Sequence, residues 1–214
     1  MCSSDLYMLM EFRMMILTVL LLLPVLVARA QESERYANGQ QKFSGQTQGS
    51  QKVGLWTYYY QNGQVASKEY YVDGMLEGEV AYFYPNGKLQ VKETWKADLL
   101  QDSAFHYFPN GQLQKKGIYK DGLYDGKWVF YEESTGKLKR TGSYFNGLPH
   151  GEWLSYDEAG ELMQKGRYVH GKEDGFWQFY EDGKLTFEGG YQNGEQVGEW
   201  FQYTKKGKKK PYRY

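Results

Sequence analysis

The sequence predicts an all-β fold: an elongated antiparallel meander of about seven tandem hairpin repeats after an N-terminal signal peptide. Three observations carry that expectation. A Gly-x-Trp-x-x-Tyr pattern returns at near-constant spacing, which is the mark of a repeat architecture. Asn-Gly and Asp-Gly pairs fall at fixed offsets between β-prone runs, where hairpins need turn residues. A short apolar run lies ahead of the first copy.

That run extends from Met14 to Ala28 and is broken only by Thr18, with Arg13 before it and Arg29 at its end. At about 1.5 Å of rise per residue it reaches roughly 22 Å, short of the ~30 Å hydrocarbon core of a bilayer. It closes in Ala28-Arg29-Ala30 before Gln31, the small-x-small pattern of signal-peptidase cleavage. The expected division is a signal peptide over 1–30 and a repeat domain over 31–214, exported to the periplasm or cell surface. No integral membrane segment would survive cleavage. Residues 1–10 are polar and acidic where a positive stretch is usual, so Met8, Met10 and Met14 stand as alternative starts. Cys2 precedes the apolar run and residue 31 is Gln, which argues against lipid attachment. Cleavage would also remove the one thiol, excluding disulfides and thiolate chemistry.

Composition agrees with hairpins. Tyr (21) outnumbers Phe (11) and Trp (6), and Gly (26) far outnumbers Pro (5), a balance that suits aromatic strands joined by positive-φ turns. Basic and acidic residues both total 26, so there is no electrostatic case for nucleic acid or an anionic membrane. The terminal run Lys205 to Lys210 reads as a solvated end.

The units begin at Gly54, Gly78, Asp102, Gly126, Gly151, Gly175 and Gly198, spaced by 24, 24, 24, 25, 24 and 23 residues. Their third position holds Trp56, Val80, Ala104, Trp128, Trp153, Trp177 and Trp200. The sixth is aromatic throughout, from Tyr59 to Tyr203. A turn glycine follows in six units, from Gly63 to Gly183, then an aliphatic residue from Val65 to Leu185. A second aromatic column runs Tyr71, Trp95, Tyr119, Tyr144, Tyr168 and Tyr191. Each unit therefore reads as two strands of roughly six to eight residues and two turns. The Asn-Gly pairs at 62–63, 86–87 and 110–111 are expected to put both turn residues at positive φ. Unit four carries an extra residue near 132–135 and unit six lacks one near 181–182; both changes fall in turns and spare the strands. Half a unit precedes Gly54, giving about 15 strands and a sheet some 70 Å long at roughly 4.8 Å per strand. One hairpin cannot bury its own aromatic face, so stability must come from the neighbouring unit.

These columns resemble the MORN repeat family, and more closely its bacterial variant with a Gly-x-Trp-x-x-Tyr-x-x-x-Gly-x-Leu core. The likeness covers about residues 36 to 214, clearest from Gly126 to Gly198 and weakest in unit three, where Asp102-Ser103-Ala104 replaces Gly-x-Trp. The resemblance implies a meander of consecutive hairpins with a binding or scaffolding role. Bacterial members are also labelled antitoxins, a role that fits poorly with a signal peptide.

The sequence offers no arrangement of residues suited to catalysis. His106, His150 and His170 lack metal spacing; His106 is expected to pack as a column ring, and His150 and His170 to be solvated turn residues. Glu173-Asp174 beside His170 reads as ordinary turn carboxylates. No nucleophile-elbow, phosphate-loop or zinc-helix pattern is present. Neither a cofactor nor a metal is expected, and the chain is expected not to be an enzyme. The expected function is an exported module that binds protein or cell-envelope material. A carbohydrate-binding wall module and an antitoxin or immunity protein are the alternatives. The candidate binding surface is Tyr58, Tyr60, Tyr82 and Tyr84, aromatics of units one and two where later units carry Ser155, Asp157, Glu181 and Gln202. Against this stands the reading that these rings only cap the sheet end.

Overall fold

The computed structural model describes residues 28–213, all of them in strands, turns and connecting segments of one antiparallel sheet. The expected signal peptide lies almost wholly outside the described residues. Its strands are β1 (Arg29–Arg35), β2 (Gln41–Gln48), β3 (Gln51–Tyr59), β4 (Val65–Val72), β5 (Met75–Leu76) and β6 (Gly78–Phe83). Then come β7 (Leu89–Lys96), β8 (Leu99–Tyr107), β9 (Leu113–Lys120), β10 (Leu123–Tyr131), β11 (Leu138–Phe145) and β12 (Leu148–Tyr156). The last are β13 (Leu162–Val169), β14 (Lys172–Glu181), β15 (Lys184–Gln192), β16 (Glu195–Tyr203) and β17 (Lys209–Tyr212). Each pairs with the next in chain order, except that β5 and β6 together form the partner of β4. Seventeen strands replace the expected 15: β1 adds one before the first half unit, and the partner of β4 is split at Glu77.

The two ends of the sheet use different turns. At one end, pairs such as Asp73-Gly74, Asp121-Gly122, Asn146-Gly147, His170-Gly171 and Asn193-Gly194 have both residues at positive φ, as two-residue hairpins of the right twist require. At the other end the Asn-Gly expectation needs correction. Gly63 lies at φ 82 and Asn62 is not among the positive-φ residues. Gly63 N donates to Tyr60 O at 2.9 Å and Tyr60 N to Gln64 O at 2.8 Å, a three-residue turn closed by a glycine bulge. Asparagine is used there for its side chain. Asn62 Oδ1 accepts from Gln64 N at 3.0 Å, and Nδ2 donates to Pro85 O, one repeat onward, at 3.0 Å. The length changes fall where expected. Glu132 N reaches Lys137 O across a longer loop, and Asp182-Gly183 makes a two-residue hairpin.

The core is a row, not a layer. Trp56, Trp128, Trp153, Trp177 and Trp200 are buried, and each indole lies flat against a glycine eleven residues earlier on the adjacent strand. A Cβ built on Gly45, Gly117, Gly142, Gly166 or Gly189 would sit 2.0–2.2 Å from the nearest carbon of that ring, so no other residue fits beneath a tryptophan. The pairing skips at this glycine, as between Ser44 and Gln46, and the next carbonyl is turned towards the indole. Gln46 O, Ile118 O, Ser143 O and Gly190 O accept from the Nε1–H groups of Trp56, Trp128, Trp153 and Trp200 at 3.0–3.1 Å. Tyr119, Tyr144, Tyr168 and Tyr191 meet the rings of Trp128, Trp153, Trp177 and Trp200 edge-on at 5.1–5.2 Å, the arrangement that ring quadrupoles favour. At the far end, Glu188 accepts from Tyr203 Oη at 2.5 Å and from Lys209 Nζ at 2.8 Å, which ties β17 to the sheet.

Candidate binding surface on the tryptophan face

Strand alternation divides the four expected surface tyrosines into two pairs. Tyr58 and Tyr82 stand two residues beyond Trp56 and Val80, on the tryptophan face, and both flank Ser67 in the sheet. Tyr60 and Tyr84 lie at the bulged turns. Tyr60 Oη donates to Phe83 O at 2.7 Å and Tyr84 Oη to Tyr107 O at 2.8 Å, repeating the Tyr36 to Tyr59 contact at 2.8 Å. Their phenols join one repeat to the next.

The tryptophan row is interrupted in repeats two and three. Val80 and Ala104 stand where indoles stand elsewhere, and both are fully buried. The glycine column changes with them: the residues eleven places earlier are Glu69 and Glu93. Across the sheet the middle row reads Trp56, Glu69, Val80, Glu93, Ala104 and Gly117, with Trp128 over the last. From β3 to β10 is six strand steps, roughly 29 Å at about 4.8 Å each. Within that gap the floor carries two carboxylates in place of glycines and two small aliphatic side chains in place of indoles. Tyr58, Tyr82 and His106 line one side, and Tyr71, Trp95 and Tyr119 the other.

The gap is polar and partly buried. Glu69 accepts from Ser67 Oγ and Tyr71 Oη, both at 2.7 Å. Glu93 is 8 % exposed, with Oε1 3.3 Å from His106 Nε2; that nitrogen is buried and makes no hydrogen bond. Burial, then the Glu69 carboxylate, pushes the Tyr71 phenol well above its ordinary range. Burial followed by the charges of Glu69 and Glu93 pushes Tyr82 up to about 12. The Tyr119 phenol is raised by burial, by Tyr124 and, more weakly, by Glu93. These phenols stay protonated beside carboxylates across the physiological range.

Sequence reasoning placed Tyr58 and Tyr82 here but missed Glu69, Glu93 and His106 as a group. The signal was available as a second column, glycine in five repeats and glutamate in the two that lack tryptophan. The histidine expectations divide. His106 packs in its column as expected, and His170 is an exposed turn residue. His150 instead lies in β12, partly buried, with Nδ1 unpartnered and its ring 5.5 Å from that of His170. Among the described residues no three His, Cys, Asp or Glu side chains are grouped to hold a metal, and no helix is long and apolar enough to cross a membrane. Glu152 and Lys165 form the expected cross-strand pair at 3.2 Å.

A sheet of tandem hairpins whose distinguishing features are surface columns belongs to the class of repeat binding modules. The MORN repeat variant model matches the chain four times, over residues 52–73, 76–97, 103–121 and 149–170, and the chain carries repeats of that family. Such repeats are binding modules, generally without enzymatic activity. Three of the four matches lie before residue 122, in the half where the bare pattern looks weaker than it does from Gly126 onward. No curated protein matches the chain. Among solved structures it is similar to part of the "Crystal Structure of TcdB2-TccC3", at 14 % identity, covering 83 % of this chain and 14 % of that one, with a TM-score of 0.19. The "Crystal Structure of TcdB2-TccC3-Cdc42" matches at 14 % identity, 83 % and 13 % coverage and the same TM-score. This chain thus spans about one seventh of the length of those chains.

Proposed function

We propose that the chain is an exported, non-enzymatic module that binds a protein or cell-envelope component through the tryptophan face, centred on repeats two and three. The observation behind this reading is the break in the tryptophan–glycine row. Five repeats use that row to hold the sheet together, whereas two adjacent ones replace its indoles with Val80 and Ala104 and its glycines with Glu69 and Glu93, between flanking columns that carry Tyr58, Tyr82, His106 and Tyr71. Tyr58 and Tyr82 are the aromatic contacts of that surface, and Tyr60 and Tyr84 keep neighbouring repeats in register beside it. Export rests on the apolar run 14–28 and the Ala28-Arg29-Ala30 site.

Affinity capture from an envelope fraction tests the reading. A partner retained by the unaltered protein is expected to be lost when Tyr58 and Tyr82 are both changed to Ser. Retention at equal yield would refute the assignment of the face. Cell fractionation tests export, with a mature N-terminus at Gln31 expected; full-length protein confined to the cytoplasm would refute it.

A further inference from the structure

We infer that the gap around Glu69 and Glu93 is a subsite for a primary alkylammonium group, such as a lysine side chain of the bound partner. The inference deepens the proposed function and rests on it for the identity of the ligand's carrier.

Removing tryptophan from two repeats opens room above the opposing strand, and an aliphatic side chain would fill it at least cost. Two carboxylates fill it instead. Taking a carboxylate out of water is unfavourable without a counter-charge or a full set of donors. Glu69 has two hydroxyl donors and, among the described residues, no cation within ion-pair distance. Glu93, its side chain 10 % exposed, has only His106 Nε2 at 3.3 Å, without a hydrogen bond. Two acidic groups set among tyrosines, with no lysine or arginine of the described residues within ion-pair distance of either, make an environment short of positive charge.

The flanks of the gap indicate which cation suits this face. On one side Lys52 Nζ donates to Tyr58 Oη at 2.5 Å and lies 4.7 Å from the Trp56 ring centre and 4.8 Å from that of Tyr71. On the other, Lys115 Nζ donates to Tyr124 Oη at 2.7 Å and lies 5.7 Å from the Trp128 ring centre. The protein's own ammonium groups thus sit at both borders between a phenol oxygen that accepts from them and the ring of a tryptophan. In the column of Lys52 the repeats within the gap carry Leu76 and Leu100, which supply no charge. The aromatic walls continue across the gap and the carboxylates lie at its floor; the ammonium is the part that an outside molecule must bring.

n-Butylammonium, titrated into protein carrying 15N-labelled tryptophan, is the probe. The indole N–H signals of Trp56 and Trp95 border the gap, and those of Trp177 and Trp200 report on distant repeats. Saturable shifts are expected at the bordering signals alone, with n-butanol producing none. The Glu69→Gln, Glu93→Gln variant should bind at least tenfold more weakly. A second variant, Glu69→Gly, Val80→Trp, Glu93→Gly and Ala104→Trp, restores the pair used by the other five repeats and should fold while losing the response. Absence of saturable shifts, equal shifts with butanol, or undiminished binding in either folded variant overturns the subsite. Partner capture reads the broader function separately. A partner held equally well by the Gln variant overturns the subsite while leaving the binding module in place.

Discussion

Gly142→Ala tests the tryptophan–glycine row most directly. The added Cβ would sit 2.1 Å from Trp153 Cδ2, 2.2 Å from Cε2 and 2.5 Å from Cγ, far inside van der Waals contact with a rigid ring. Backbone movement of that size would break the β11–β12 pairing, so the indole must leave. Trp153 is 6 % exposed. A buried aromatic covers about 150–250 Å², which at about 25 cal/mol per Å² sets a ceiling of roughly 4–6 kcal/mol. Partial reburial elsewhere lowers this, and loss of the bond from Nε1 to Ser143 O at 3.1 Å adds about 1 kcal/mol. The expected cost is about 3–5 kcal/mol, the range measured for deleting a core tryptophan. Gly151→Ala is the control. Its Cβ meets nothing within 4 Å, and only its φ of +77° penalises alanine, by about 1–2 kcal/mol. Urea unfolding followed by tryptophan fluorescence reads both. If Gly142→Ala costs no more than Gly151→Ala, the row does not hold the sheet as argued. The double change Gly142→Glu with Trp153→Val, which copies Glu69 and Val80, sharpens the test. Independent effects would sum to about 6 kcal/mol or more, whereas a shared space predicts a loss close to that of Trp153→Val alone.

Three further outcomes follow from the geometry. Tyr60→Phe and Tyr84→Phe should each lower stability by about 1 kcal/mol in urea unfolding, because each removes one hydroxyl-to-carbonyl bond between repeats. Burial raises the Glu188 carboxyl, but bonds from Lys209, Tyr203 and Gln178 outweigh it and leave the group below its ordinary value of 4.5. Its contribution is therefore complete above that value and is lost as pH falls through the depressed folded one. The protection factors of the Lys210 and Tyr212 amides, taken relative to the intrinsic exchange rate at each pH, should fall on acidification below pH 4.5, and Glu188→Gln should abolish that dependence. Tyr82, raised from 10.0 to about 12, holds its proton more tightly folded than unfolded, so its contribution is complete below pH 10 and declines as pH rises towards 12. Absorbance at the phenolate band should show a late-titrating group that is missing from Tyr82→Phe.

Much of the fold was legible because the chain prints the same unit repeatedly. Trp56 and Trp128 could be aligned without knowing what either touched, and the indels near Glu132 and Asp182 marked turns by leaving the columns undisturbed. What escaped was contact across strands. The asparagine of Asn62-Gly63 looks like a positive-φ residue because both Asn and Gly tolerate that region; only the closure from Gly63 N to Tyr60 O reveals a bulged turn in which the side chain reaches Pro85. Tyr60 and Tyr84 looked like surface aromatics because a sequence does not record where a hydroxyl points. Glu69 and Glu93 were hidden differently. Their meaning depends on a partner column eleven residues away, and a glutamate in a half-exposed strand is indistinguishable in sequence from an ordinary solvent-facing one.

The coupling of those two columns separates structure from use. In a repeat array each unit contacts only its neighbours, so a substitution that keeps the sheet intact need satisfy only local conditions. Loss of an indole alone would leave a cavity, and a glutamate beneath an indole would not fit. The paired change at 69 and 80, repeated one unit later at 93 and 104, meets both conditions and lets the sheet continue. Local fit accounts for a larger residue wherever tryptophan is absent, yet it does not require an acidic one, and an aliphatic side chain would bury more favourably. Carboxylates at both positions, with Tyr71 and Ser67 turned towards the first and His106 beside the second, are a feature that packing does not demand. The chemistry of this chain is therefore to be sought where its repeats depart together from their own pattern.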